Sequence, residues 1–237
     1  MVDLEPAAVS LIPGAFIVVV LWRLRSDLRE AESRHPINEA PGFASVAPGP
    51  LVTRKLLSLY RPFTTGARRP APNNCRLQNV ATRRLTYCDV YLFDLLDTAG
   101  ADAAVIERQA VAVISPHLRL PTFMMCPTVD VDGSATRPGN EVAGGFSCIG
   151  ASVEFSRPAE FADRYRVSSP EPGATRQFLD ERRLRRLARL QGSAFHASGD
   201  AFVLSRLGRP VGSLERDTLQ FRVDLAVDLY SELRTSR

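Results

Sequence analysis

Sixteen consecutive uncharged and mostly apolar positions, Ala7 to Trp22, open the chain and are followed at once by Arg23 and Arg25, with only Asp3 and Glu5 before them. A spanning helix needs about 20 apolar residues, with a lower end near 17. Pro6 and Leu4 bring the run to that length, and a snorkelling Arg23 or Arg25 lengthens its reach. Trp22 stands where an interfacial aromatic belongs, and membrane helices tolerate breaks such as Pro13-Gly14. The pattern predicts an N-terminal membrane anchor over 1–22, with the remainder cytoplasmic. Two alternatives compete with it. A cleaved signal peptide needs positive charge before the apolar run and small residues after it, and here the flanks are reversed. A buried N-terminal helix of a soluble protein is the other.

Beyond the anchor the pattern loses its period. Residues 36–50 hold Pro36, Pro41, Pro48 and Pro50 with Gly42 and Gly49, and residues 61–75 are again rich in Pro, Thr, Arg and Asn. Such stretches read as extended or irregular chain, with Leu51–Tyr60 able to form one or two helical turns between them. Residues 23–74 are therefore expected to be an Arg- and Pro-rich juxtamembrane linker, and 75–237 a cytoplasmic domain.

Within that domain, aromatic and β-branched runs alternate with turn residues. Arg84–Leu96 and Ala104–Ser115, joined through Asp97-Thr-Ala-Gly-Ala-Asp102, predict a β-hairpin. Thr122–Cys126, Ser152–Phe155 and Tyr165–Ser168 predict further strands, and Ser193–Ala197 with Ala201–Arg206 a second hairpin around Ser198-Gly199-Asp200. The Gly-rich stretch 127–150 reads as a long polar loop. Two helices are expected. One runs from Pro172-Gly173-Ala174 to Gln191, closed by Gly192 as C′ residue, with Leu179, Leu184, Leu187, Ala188 and Leu190 on one half of the cylinder. The other follows a Ser213 N-cap; its Leu219, Val223, Ala226, Tyr230 and Leu233 are spaced 4, 3, 4, 3. The predicted fold class is α+β: an antiparallel sheet built from hairpins, two amphipathic helices packed on one face of it, and one N-terminal transmembrane helix.

Charge sharpens this organisation. The formal net charge is +4, yet residues 23–84 carry twelve Lys and Arg against four acids, a net of +8. Residues 1–22 contribute −2, so residues 85–237 sum to −2. The basic excess thus lies just behind the anchor, as the positive-inside rule and anionic lipid both favour. Lys55 is the only lysine, so coding bias towards Arg contributes too. A nucleic-acid binder carries its basic face on the folded domain, and no nucleic-acid partner is expected.

Chemistry-bearing motifs are sparse. Cys75, Cys88, Cys126 and Cys148 show no Cys-x-x-Cys spacing. Cys148, in Gly-Gly-Phe-Ser-Cys-Ile-Gly, is the cysteine most readily imagined exposed, with His117 or His196 as a base for nucleophilic chemistry. Asp130-Val-Asp132-Gly133 starts like a calcium loop but lacks the rest of one, and Gly144-Gly145 has neither a Rossmann pattern nor a P-loop lysine. No metal or cofactor is expected. Arg182, Arg185, Arg186 and Arg189, with Arg183 beside them, make a basic helix face: either a solvated surface or a phosphate or partner site.

With these pieces placed, the chain resembles a group of uncharacterised bacterial single-pass membrane-anchored proteins. The resemblance rests on Tyr91-Leu-Phe93-Asp94, on Leu120-Pro-Thr-Phe123, and on Phe161-Ala-Asp-Arg-Tyr165-Arg-Val167 ahead of two helices separated by a hairpin. It covers most of 79–233 and implies architecture, not activity. The expectation for function is a membrane-tethered interaction or scaffold domain contacting lipid through its anchor. The alternative is a hydrolase-like enzyme using Cys148 or a carboxylate of the 127–150 loop.

Overall fold

The computed structural model of the protein describes residues 42–64, 74–98, 104–128, 141–142, 146–147, 149–190, 193–205 and 216–234. The expected anchor, residues 1–22, lies outside them. Among the described residues no helix is long and apolar enough to cross a membrane.

A mostly antiparallel sheet with a few helices forms the fold. The chain runs through β1 (Ala44–Ser45), α1 (Pro50–Tyr60, extended by a 3-10 turn Arg61–Thr64), β2 (Cys75–Arg84), β3 (Asp89–Asp97), β4 (Ala104–Ile114) and β5 (Leu120–Pro127). Two short strands follow, β6 (Glu141–Val142) and β7 (Phe146–Ser147), then β8 (Ala151–Val153), α2 (Ala159–Ala162) and β9 (Tyr165–Ser169). Helices α3 (Pro172–Phe178) and α4 (Glu181–Leu187, with a 3-10 turn Ala188–Leu190) precede β10 (Ala194–Gly199), β11 (Ala201–Ser205) and α5 (Arg216–Leu233). Nine strands share one sheet in the order β1-β2-β3-β4-β11-β10-β5-β9-β8, and β6 pairs with β7 separately.

Both expected hairpins are present, β3 with β4 (Val90↔Val113) and β10 with β11 (Phe195↔Leu204). The second is inserted between β4 and β5, a placement that local pattern does not encode. Two-residue alternation sorts the strands into two cores. Val90, Leu92, Val111, Val113, Phe123, Phe195, Phe202 and Leu204 face one cluster, which α3, α4 and α5 cover. Tyr91, Phe93, Ala110, Ala112, Met124, Ala194 and Val203 face the other, which receives Leu56, Leu59, Tyr60 and Phe63 of α1 and its 3-10 turn. Helices therefore lie on both faces rather than on one. This explains why β4, β5 and β11 read as nearly continuous apolar runs: a strand buried on both sides has no polar register.

Residues 44–64, placed within a linker by composition, thus belong to the packed structure. Pro50 at the first helical position suits a fixed φ, and Leu56, Leu59, Tyr60 and Phe63 then fall on one side of the cylinder. Each such side chain, once buried, contributes on the order of 1.5–3 kcal/mol. Lys55 pairs with Asp200 in the β10–β11 turn and ties the same helix to the hairpin.

The helix expected over 172–191 is broken. Leu179 leaves the helical region (φ −84°, ψ 74°), and Asp180 caps a new helix, its side chain accepting from the Arg183 N–H at 2.8 Å. A helix N-terminus with an Asp cap and Glu181 in its first turn is worth more locally than continuation. The break also lets Leu179 join Leu184 and Leu187 in the core. The five-residue gap between Leu179 and Leu184, off the helical period, was the trace of it. Helix α5 buries the expected Val223, Ala226, Tyr230 and Leu233, with Leu219 half-buried against the core; its proposed Ser213 cap lies outside the described residues.

One turn is governed by glycine. Gly150 has φ +89°, and a Cβ there would stand 2.6 Å from the Ser169 carbonyl oxygen and 2.8 Å from Pro170 backbone atoms. Left-handed backbone on a non-glycine residue costs about 1–3 kcal/mol before any clash. Gly150→Ala is expected to lower the thermal unfolding midpoint and to loosen the β8 edge; an unchanged melting curve would show that the turn relaxes freely.

Candidate functional site

Arg182, Arg185, Arg186 and Arg189 follow an i, i+3, i+4, i+7 spacing, which places them along one side of α4 and its 3-10 extension. The opposite side is spent on the core through Leu184, Leu187 and Ala188. The folded chain brings α5 alongside, and the two helices enclose an open hollow of about 500 Å³ lined by Glu181, Arg182, Arg185, Arg186, Arg189 and Glu232. All four arginines singled out by the sequence meet there. The acidic partners from α5 were not legible in the sequence, because only the tertiary contact brings them near.

Those carboxylates hold the guanidinium groups. Glu232, whose side chain is only 18% exposed, takes Arg182 Nη2 at 2.8 Å and Arg186 Nε at 3.8 Å. Asp228 stands 4.0 Å from Arg186 at the solvent rim. Glu181 pairs with Arg185 one turn on at 2.5 Å, and this hydrogen bond and charge push the Arg185 pKa still higher. Arg189 is exposed, with no ion pair among the described residues. Exposed pairs of this kind add little stability, because solvent screens them. Their consequence is orientation: the pairs engage one guanidinium nitrogen each of Arg182 and Arg185 and two of Arg186. Arg183 is set apart from the group. It bonds the Phe178 carbonyl at 2.8 Å and lies 4.4 Å over the Phe178 ring.

The nucleophile candidates fare differently. Cys148 and the carboxylates of Asp130 and Asp132 lie outside the described residues, and nothing is described of the Glu141 side chain. His117 sits in the turn after β4, edge-on to Tyr87 at 5.6 Å. His196 is buried beneath α1, where its Nδ1–H donates to the Leu59 carbonyl at 2.7 Å and Nε2 finds no hydrogen-bond partner among the described residues. Burial lowers its pKa to about 4, more than the Leu59 bond raises it. Cys88 is buried, and burial, then the Asp89 charge, pushes its thiol up to about 11, away from the thiolate a nucleophile needs. Among the described residues no group of His, Cys, Asp and Glu is arranged to hold a metal.

The His196 shift carries a pH dependence. The folded state keeps the ring neutral down to about pH 4, whereas an unfolded histidine takes a proton near 6.5. The stabilising contribution is complete above pH 6.5 and declines as pH falls towards 4. Urea unfolding followed from pH 7 to pH 4.5 is expected to show falling stability, with a shallower fall in His196→Gln; parallel curves would assign the loss to other groups.

A second polar group, unforeseen from the sequence, lies inside the fold. Glu107 of β4, 5% exposed, accepts from the hydroxyls of Tyr60 and of Ser205, the latter at 2.7 Å. Arg222 of α5, 4% exposed, stands 3.9 Å from its other carboxylate oxygen and donates to the Gln109 carbonyl at 2.9 Å. Tyr60 arrives with the helix on one face of the sheet and Arg222 with the helix on the other, so the carboxylate joins both layers. Arg222 stands four residues before Ala226 and seven before Leu229, both buried. A cation on an apolar stripe was the available signal for a buried partner.

The residues that carry the resemblance noted above are interior ones: Phe93, Phe123, Phe161, Tyr165 and Val167 are all buried. They pack the sheet and line no part of the hollow. Comparison of the chain with protein-family models, with curated proteins and with solved structures finds no match.

Proposed function

We propose that this chain is an interaction or scaffold domain, tethered to a membrane by residues 1–22 and lying on its cytoplasmic side, that contacts an acidic partner through Arg182, Arg185, Arg186 and Arg189. The observation that carries this reading is the hollow between α4 and α5, where four guanidinium groups face two lining carboxylates. Such an excess of oriented positive charge suits a partner bearing carboxylate or phosphate groups. The tether is supported by the uncharged 7–22 run and its basic C-terminal flank, and the likeness to bacterial single-pass membrane-anchored proteins agrees with it. His196 is committed to the Leu59 carbonyl, which lends nothing to a catalytic role for that residue.

Crosslinking and pull-down from membranes tests the proposal. The variant with Arg182, Arg185, Arg186 and Arg189 all replaced by Gln is expected to lose partners that the parent chain retains, at unchanged membrane level. An identical partner set removes the case for this face. An alkaline phosphatase fusion at the C-terminus is expected to be inactive, and activity would reverse the assigned side.

A further inference from the structure

We infer that the hollow between α4 and α5 is a receptor for a phosphate monoester dianion, presented either by a lipid headgroup or by a soluble phosphorylated molecule. The inference rests on the preceding reading of this face as a binding surface and goes further by naming the group recognised.

Three observations lead to it. The first is charge. Four guanidinium groups and two carboxylates line the hollow, an excess of two positive charges. A phosphate monoester carries about −1.5 to −2 at neutral pH, whereas a phosphate diester or a single carboxylate carries −1. Two further acids lie outside the lining and lower this excess in part: Asp228, 64% exposed, stands 4.0 Å from Arg186 at the rim, and the charge of exposed Glu160 reaches Arg185, both screened by solvent.

The second is preorganisation. Glu232 is more than four-fifths buried and binds Arg182 and Arg186 together, while Glu181 binds Arg185. A long side chain immobilised on binding costs about 0.5–1.5 kcal/mol. Guanidinium groups already held by neighbouring carboxylates avoid part of that cost, and the planar guanidinium fork suits the oxygens of a phosphate in bidentate fashion. Arg186, only 30% exposed, is the most enclosed of the four. Arg189 closes the far end of the row with its charge uncommitted among the described residues.

The third is size. About 500 Å³ exceeds what an inorganic anion fills, and the hollow is a shallow depression open over most of its boundary rather than an enclosed cleft. The hollow is therefore suited to a phosphate attached to a larger organic body. It opens to solvent, so that body extends outwards, as a lipid backbone or a sugar would.

The full chain in neutral detergent provides the test, with binding followed by calorimetry. Glycerol 3-phosphate is the soluble probe, dihexanoyl phosphatidate the lipid probe, and dihexanoyl phosphatidylglycerol, a diester of charge −1, the control. Both monoesters are expected to bind and the diester to bind about tenfold more weakly or not at all, as loss of one bidentate charged contact implies. Phosphatidate binding well above glycerol 3-phosphate assigns the lipid source, and equal affinity assigns the soluble one; either supports the inference. Absence of monoester binding, or equal binding of the diester, overturns it.

Two variants probe the site itself. Arg185→Gln with Arg189→Gln alters only exposed positions, so the fold is expected to survive by circular dichroism, and monoester affinity is expected to fall about tenfold. Glu232→Gln removes a negative charge yet releases Arg182 and Arg186. Weaker binding is expected if the held geometry matters, and tighter binding would overturn the receptor in favour of diffuse charge. A pull-down that depends on the arginines, combined with no monoester binding, would retire this inference and leave the interaction surface standing. Monoester binding with an unchanged partner set would do the reverse.

Discussion

Arg222→Met is expected to cost about 3–5 kcal/mol of unfolding free energy, because it takes the buried Arg222 guanidinium away from the buried Glu107 carboxylate 3.9 Å from it. Glu107 is 5% exposed and Arg222 4%. The methionine fills much of the same volume, so the loss is electrostatic rather than a cavity. The hydroxyls of Tyr60 and Ser205 still donate to the carboxylate, but neutral donors offset only part of the lost charge interaction. Neutralising the partner is therefore expected to rescue: Arg222→Met with Glu107→Gln should recover at least about 1–2 kcal/mol relative to Arg222→Met alone, since the amide retains an acceptor without the charge. Equilibrium urea unfolding of the four proteins measures this. A loss below about 1 kcal/mol for Arg222→Met, the value of an exposed pair, would mean that water reaches the group and that it does not bind the two helix layers together.

Phe195→Ala is expected to be comparably damaging, about 3–5 kcal/mol, for a different reason. Phe195 is fully buried in β10 and its ring lies 5.5 Å from Phe123 and 5.3 Å from Phe202. It stands at the centre of the face covered by α3, α4 and α5, in the hairpin that joins the two halves of the sheet. Deleting the ring removes apolar burial and opens a void that neighbouring strands, fixed by their hydrogen-bond ladders, fill only in part. The measurement is again the unfolding midpoint and slope. Phe195→Leu is expected to lose much less, and a Phe195→Ala protein within about 1 kcal/mol of the parent would show that the sheet collapses onto the space.

The two perturbations also bear on the hollow. Helix α5 carries both Arg222, on its buried side, and Glu232, on the side facing α4. Loss of the Arg222 anchor is therefore expected to disturb the orientation of Arg182 and Arg186 as well as stability, whereas Phe195→Ala should leave the arginines paired wherever the fold persists.

The sequence by itself determined the local elements whose signals are local. Alternation and turn chemistry are properties of ten or so neighbouring residues, and the β10–β11 hairpin, β4, β5, β8, β9 and the amphipathic α5 overlap the segments read for them, while the strand read over Arg84–Leu96 begins only at Asp89, Arg84 ending β2. The arginine row was legible for the same reason, since its spacing alone places it on one side of a helix. Tertiary structure decided the rest. The insertion of the β10–β11 hairpin between β4 and β5 depends on pairing between residues 70 to 93 positions apart, which no local window encodes. Helix α1 was hidden because Pro48, Gly49 and Pro50 look like linker until a second sheet face needs covering, and burial of Leu56, Leu59 and Phe63 then outweighs weak propensity. Glu107 and Arg222 each look like an ordinary charged residue in isolation. Only the packed chain brings them within 3.9 Å, and burial in low dielectric turns two unremarkable charges into a pair neither can leave without cost. Glu232 is the parallel case at the surface: the folded contact between α4 and α5 converts a row of arginines into an oriented, partly enclosed hollow.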